Sequence, residues 1–284
     1  MSGWISVLRT SSPILVQDLG RPGLRSVGVP GSGAFDRGAA ALAQRLVGND
    51  EREAGLELLL ADALLRTDTT VSAVLTGAPA RARVGTRVYA TNEVFPWQAG
   101  ADLLLTPPTT GLRTYLAVRG GFDVAPVLGS CATDVLSGLG PAPLHPGDDL
   151  PLAHRPAGDV VIGWAPPRGR ARYLRVVPGP REEWFAADAF GQLTGAVWTV
   201  GPNSNRVGLR LSGPLLQRRP GAGELPSEPL QRGAVQVPPA GQPIVLGPDH
   251  PTTGGYPVLG CVVAADWDWC AQLRPGDEVR FVRG

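Results

Sequence analysis

The sequence predicts a mainly β protein with a few short helices laid over it, and three observations carry that prediction. Short apolar runs recur along the whole chain, bounded by Gly, Pro, Asn or Asp. The 38 glycines and 29 prolines of the 284 residues fall between those runs instead of clustering, the punctuation of many strands joined by turns. Only two stretches have a persuasive helical period.

The expected strands are 14–16, 71–75, 80–84, 115–118, 173–177, 197–200, 233–237, 244–246, 258–264 and 278–282, with a further strand through Arg210 and Leu211 that points these two to opposite faces. Arg274-Pro275-Gly276-Asp277 is a tight-turn signal before the last of them, because proline presets φ and glycine accepts positive φ. Asp36 is placed to cap a helix running to Val47, with Ala39, Leu42, Ala43, Leu46 and Val47 on one face and Gly48 as its left-handed stop. A second helix is expected over 181–190, after Pro178-Gly179-Pro180, and a helical turn around 266–272. The Pro-rich stretch 141–167, with His145 and His154, shows no long strand. Two lobes, 1–160 and 161–284, are expected to meet there, free to share strands.

Composition narrows the function. Hydrophobic residues make up 43% and charged residues 18%, enough for a sizeable core. A net charge of +1 with scattered arginines argues against nucleic acid or acidic lipid as partner. Cys131, Cys261 and Cys270 are odd in number and far from any paired metal spacing, so neither a disulfide framework nor a metal site is expected. With no apolar h-region at the start and no 18-residue apolar run, no membrane segment and a cytoplasmic location are expected.

No GxxxxGK[ST] is present, and Gly28-Val29-Pro30-Gly31-Ser32-Gly33 is not GxGxxG. The helix start at Asp36 reads either as an anion site or as an entry capped by its own aspartate. Three polar, glycine-rich stretches remain. In Gln17-Asp18-Leu19-Gly20-Arg21-Pro22-Gly23, Asp18 and Arg21 form either a turn clasp or an anchor for a carboxylate or amide. Arg206, in Asn203-Ser204-Asn205-Arg206-Val207-Gly208, sits in a loop where arginines are more often solvated than functional. The richest stretch runs from Leu246 to Pro257 between two strands and is too long for a plain hairpin. Asp249 and His250 there can act as base, acid or orienting pair, Thr252 and Thr253 offer hydroxyls, and Gly254-Gly255 lets a ligand approach the backbone. The alternative is an Asx/ST-turn network that shapes the loop.

These residues carry a family pattern. Val16 to Gly23, Gly28 to Asp36, Leu46-Val47-Gly48-Asn49 with Gly55-Leu56-Glu57, Tyr115 to Phe122, Val127-Leu128-Gly129-Ser130, Gly233 to Leu246, Thr252-Thr253-Gly254-Gly255-Tyr256-Pro257 and Ala271 to Asp277 together resemble the KipA-like third subunit of bacterial 5-oxoprolinase. That family is related to the carboxyltransferase part of urea carboxylase. The resemblance implies two β-barrel-like lobes of cyclophilin-like type. It also implies two partners, a KipI-like second subunit plus a LamB/YcsF-like one, in an ATP-dependent opening of 5-oxoproline (pyroglutamate) to L-glutamate. Activation of the lactam oxygen by phosphorylation would precede hydrolysis, with ATP held elsewhere in the complex or here in an unfamiliar way. Asp249, His250 and Arg206 are the catalytic candidates implied, and Gln17, Asp18, Arg21, Gln236, Thr252, Thr253, Gly254, Gly255 and Tyr256 the substrate-binding ones. Arg206, Gln236 and the Thr252–Gly255 segment suit a developing negative charge.

Three departures from the family pattern stand out: Cys131-Ala132 after Gly129-Ser130, Asn205 where a carboxylate is common, and His250 where arginine is usual. Two other activities stay open. One is carboxyl transfer from biotin to a urea-like acceptor, for which this lysine-free chain would need biotin carried on another protein. The other is a purely regulatory role through a KipI-like partner.

Overall fold

The computed structural model describes residues 3–153, 158, 163–167, 169 and 173–284. They fall into two compact units, the first made of Met1–Arg21, Ser32–Asp134 and Gly138–Arg168, the second of Pro22–Gly31, Val135–Ser137 and Gly169–Gly284. The expected boundary at 160/161 and His154 lie outside the described residues.

The first unit is built on two open antiparallel sheets. Six strands lie in the order Asp149–Pro151, Trp4–Thr10, Ala63–Thr67, Asp102–Thr106, Arg81–Val84, Arg87–Ala90. Five lie in the order Leu15–Gln17, Gly55–Leu59, Arg113–Val118, Val71–Gly77, Val94–Trp97. Ile5, Val7, Leu65 and Leu103 of one sheet share a core with Leu56, Leu75, Leu116 and Trp97 of the other. Each such fully buried side chain contributes roughly 1.5–3 kcal/mol.

Arg113–Val118 is buried at all six positions, because its second face is covered too. The helix Arg37–Leu46 lays Ala39, Ala43 and Leu46 on Val74, Tyr115 and Ala117. The Asp36 carboxylate accepts from the Ala39 N–H at 2.8 Å, and Gly48 has φ +76°. Both ends of this helix are those the sequence predicts.

The second unit contains a closed seven-stranded barrel. Its order is Leu174–Pro178, Val258–Val262, Ala234–Gln236, Ile244–Leu246, Gly208–Ser212, Val197–Val200, Glu278–Arg283, and parallel pairing of the last strand with the first closes the ring. Alternation turns Trp198, Val200, Leu209 and Leu211 inward and leaves Thr199 and Arg210 exposed.

Two expectations are corrected. Among the described residues there is one closed barrel, not two barrel-like lobes. Among the described residues neither sheet of the first unit closes, and two end strands, Val94–Trp97 and Asp149–Pro151, carry Pro96 and Pro151. Proline has no N–H to offer a further strand, so it belongs at an edge, and these sheets face each other across a core instead of closing. The helix expected over 181–190 is instead a 3₁₀ turn, Glu182–Trp184, and a helix, Ala189–Gly195. Phe185 between them is extended, with φ −114° and ψ 168°, and bridges Arg218. Among the described residues, no helix is long and apolar enough to cross a membrane.

Candidate functional site

The barrel ladder sets Arg206 beside Asp249. Gly208 pairs with Leu246, and the pairing continues past the strand ends, with Gly247 N–H donating to Val207 O at 2.9 Å and Asp249 N–H to Arg206 O at 3.2 Å. The side chains then meet side-on. Arg206 Nε donates to Asp249 Oδ2 at 2.8 Å and Nη2 donates to Oδ1 at 2.9 Å. The pair is 5% and 0% exposed, so this loop arginine is not solvated as its sequence context suggests. Val135 N–H adds a third donor to Oδ2 at 3.1 Å. The turn leading in keeps its shape with an amide: Asn205 Oδ1 accepts from the N–H groups of Val207 and Gly208.

His250 is 1% exposed, and its tautomer follows from its partners. Nδ1 lies 2.7 Å from Pro251 O, which can only accept, so Nδ1 carries the proton. Nε2 lies 3.2 Å from Nη2 of Arg25, which can only donate, so Nε2 is a lone pair. Burial holds the imidazole below its usual pKa; the Pro251 carbonyl opposes that, and the charges of Arg25 and Arg232 reinforce it. The ring is therefore neutral near pH 7, with both nitrogens engaged.

The loop after Asp249 is long for a topological reason. Ile244–Leu246 and Val258–Val262 both pair antiparallel with Ala234–Gln236, so they are parallel to each other and their connection must return the length of the strand. Asp249 and His250 occupy one end of that return. Tyr256 occupies the other, where Gln236 Nε2 donates to its carbonyl at 3.1 Å. The predicted binding residues are thus spread along the loop. Thr252 O accepts from Leu230 N–H at 2.9 Å, and Thr253–Gly254 pairs with Glu228–Pro229. A Cβ on Gly254 would lie 2.8 Å from Leu230, and one on Gly255 would lie 2.9 Å from Leu225 O. The glycine pair makes room for the 225–230 segment.

In the first unit, Asp18 and Arg21 do not pair. Asp18 accepts from Gly20 N–H, Ser130 Oγ–H and Cys131 N–H, each at 2.7 Å. Arg21, 2% exposed, donates to Ala132 O at 2.5 Å and Val127 O at 3.4 Å. Gln17 Nε2 donates to Thr133 O at 2.7 Å. The 17–21 turn therefore grips the 127–133 segment through its donors and its acceptors together. Nearby, Glu57 Oε2 accepts from Tyr115 Oη–H and Phe35 N–H, while Tyr115 Oη accepts from Asp36 N–H. Arg113 joins Glu57 at 3.2 Å and lies over the Phe35 ring. Burial first, then the Glu57 and Asp36 charges, push the Tyr115 phenol well above its usual range.

Sequence reasoning missed Arg25 and Arg232. Arg232 is 7% exposed, with its guanidinium carbon 5.2 Å from the Trp267 ring centre. An arginine isolated in sequence carries no spacing signal; only the fold brings it to His250.

Residues 27–283 match the family described as carboxyltransferase domain, subdomain A and B. The chain belongs to this carboxyltransferase domain family. Within the family it is 38% identical over 285 residues to the third subunit of 5-oxoprolinase from Escherichia coli (strain K12), covering 98% of this chain and 91% of that protein. It is 33% identical to the corresponding 5-oxoprolinase subunit of Haemophilus influenzae, at 98% and 90% coverage. Among solved structures, TTHA0988 matches with a TM-score of 0.88 and 36% identity over 99% of this chain, which spans about half (55%) of that one. The Kluyveromyces lactis urea amidolyase matches with a TM-score of 0.91 and 29% identity, 99% of this chain corresponding to 18% of that protein. This carboxyltransferase-related domain is thus shared by the family of third 5-oxoprolinase subunits and the urea carboxylase family, as the sequence motifs indicate.

Proposed function

We propose that this chain is one component of a multi-subunit, ATP-dependent 5-oxoprolinase that opens 5-oxoproline to L-glutamate. The observation carrying this is end-to-end likeness to the third subunit of 5-oxoprolinase, with about nine-tenths of those chains covered. In the reaction two waters are consumed: as the lactam C–N bond breaks and the nitrogen takes up a proton, one water balances the second oxygen of the new carboxylate, and the other balances the conversion of ATP to ADP and phosphate. KipI-like and LamB/YcsF-like subunits are the partners in this reading, and the cytoplasm is its compartment. With no GxxxxGK[ST] loop and no lysine in the chain, ATP is assigned to the complex, held on a partner subunit or here in an unfamiliar way.

Within that reading, the Asp249–Arg206 pair fixes the start of the 249–256 loop, since its hydrogen-bonding groups already face each other. Thr252, Thr253 and the backbone of Gly254, Gly255 and Tyr256 line the route of the lactam, with Gln236 holding Tyr256. Gln17, Asp18 and Arg21 act through the 127–133 segment that they hold. The test is glutamate release from 5-oxoproline and ATP, with this chain alone and with both partners. Release is expected only from the three together, and an assembled complex that releases none would sink the proposal.

A second reading has one observation in its favour, the TM-score of 0.91 to urea amidolyase: carboxyl transfer to a urea-type acceptor. Without a lysine this chain offers no attachment point for biotin, which would arrive on another protein. Carboxybiotin-dependent carboxylation of urea by the same preparation would favour it.

A further inference from the structure

Arg25 stands outside every role assigned so far. It lies on the exposed 3₁₀ turn Arg25–Val27, in the same unit as the barrel. Two contacts fix its guanidinium: Nη1 donates to Leu230 O at 3.0 Å and Nη2 to His250 Nε2 at 3.2 Å. Both acceptors are neutral. Among the described residues it has no carboxylate partner. A guanidinium has five N–H groups, so two hold it in place and three remain for something else. Side chains of this kind are normally pinned by an acid or left to wander in solvent; here the head is oriented and its charge unmatched. The carboxylate that precedes His250 in the chain, Asp249, is already closed by Arg206.

We propose that Arg25 receives the anionic group of the substrate at this end of the barrel, and that His250 is its neutral positioning partner and not a proton carrier. The assignment rests on the lactam-opening reading, in which the anion is the carboxylate of 5-oxoproline. A planar guanidinium held along one edge presents its remaining N–H groups to a carboxylate as a fork. Protonating His250 at Nε2 would remove the acceptor that orients Arg25 and set two cations against each other, so the neutral ring is the one that serves binding. Urea carries no charge to match this site. The same feature therefore separates the two readings above.

The test uses the assembled complex with 5-oxoproline and with 2-pyrrolidinone, the same ring without the carboxylate. Losing a charge-assisted hydrogen bond is worth about 1.5–3 kcal/mol, so Arg25→Gln is expected to raise KM for 5-oxoproline roughly 10- to 100-fold. The loss should fall far less on 2-pyrrolidinone, so the preference between the two substrates collapses, and Arg25→Lys should restore part of it. His250→Gln should raise KM for 5-oxoproline while leaving the limbs of the kcat–pH profile where they are. Unchanged KM in Arg25→Gln, or equal losses on both lactams, would overturn the proposal while lactam opening stands. If the wild-type complex turns over neither lactam, the lactam-opening reading fails. Arg25 is then judged by titrating acetate into the ¹⁵N-labelled chain. A shift of the Arg25 Nε–H resonance at lower acetate than the other arginines supports an anion site, and no selectivity rejects it.

Discussion

The Asp249 carboxylate faces the Arg206 guanidinium along one edge, through contacts of 2.8 and 2.9 Å, with both side chains out of water. Removing either partner strands a buried charge, which costs about 3–5 kcal/mol. Asp249→Ala and Arg206→Ala should therefore each lower the urea midpoint by that amount of stability. The double variant Asp249→Leu/Arg206→Met should recover most of the loss, because a buried pair is often no more stable than well-packed apolar groups of its size. Equal losses in the single and double variants would show that the charge is not what matters.

Acidification should act through His250. Its folded pKa lies below the unfolded value, so the unfolded chain takes up the proton first as the pH falls. Stability should then decline below about pH 6.5, the unperturbed imidazole value, and level off beneath the folded pKa. Arg25, Arg232 and Asp249 are the charged groups that act on the ring. His250→Gln should flatten this part of the stability–pH curve relative to wild type, measured by denaturation between pH 7.5 and 5.

Asp18 accepts three hydrogen bonds from the turn it starts and from the 127–133 segment. Asp18→Ala leaves the buried Ser130 hydroxyl and two half-buried N–H groups without their acceptor, at a cost of about 1–3 kcal/mol. The loss should appear in hydrogen exchange as faster exchange at Gly20 and Cys131 than elsewhere. Uniform acceleration across the first unit would point to global destabilisation instead.

Gly33 has φ +89°, and a Cβ there would lie 2.6 Å from the backbone nitrogen of Gly20. Gly33→Ala should cost more than the roughly 1–2 kcal/mol of left-handed backbone alone, since main chain and not a flexible side chain stands in the way. Gly31→Ala, with nothing within 4 Å, is the control and should melt near wild type.

Much of this fold is written locally. Asp36, Gly48 and the alanine face between them specify a helix whose caps the structure reproduces. The strands 197–200 and 244–246 are bounded by the turn residues that end them. What local reading misses is decided by distant packing. Val94–Trp97 contains a proline and is a strand only because it lies at an edge, and Phe185 breaks an expected helix to meet Arg218. Sheet closure is likewise invisible in single segments, since strand patterns read alike in an open sheet and a barrel. At the candidate site, the 249–256 loop is conspicuous by its length and composition. Its partners are not: Arg206 looks like a surface arginine and Arg25 like part of a turn, until the fold sets them beside Asp249 and His250.

The seam between Leu174–Pro178 and Glu278–Arg283 has a consequence for how the barrel is made. These two strands run parallel and are the first and last of the ring in chain order. Until a ribosome has released residues 278–283, the nascent barrel is a curled sheet with two bare rims, at Leu174–Pro178 and Val197–Val200. Each rim is a template for a stray strand from a neighbouring chain. Closure thus waits on the last strand of the ring, and a polypeptide halted shortly before that segment emerges would be kept soluble by chaperones and not by its own hydrogen bonds.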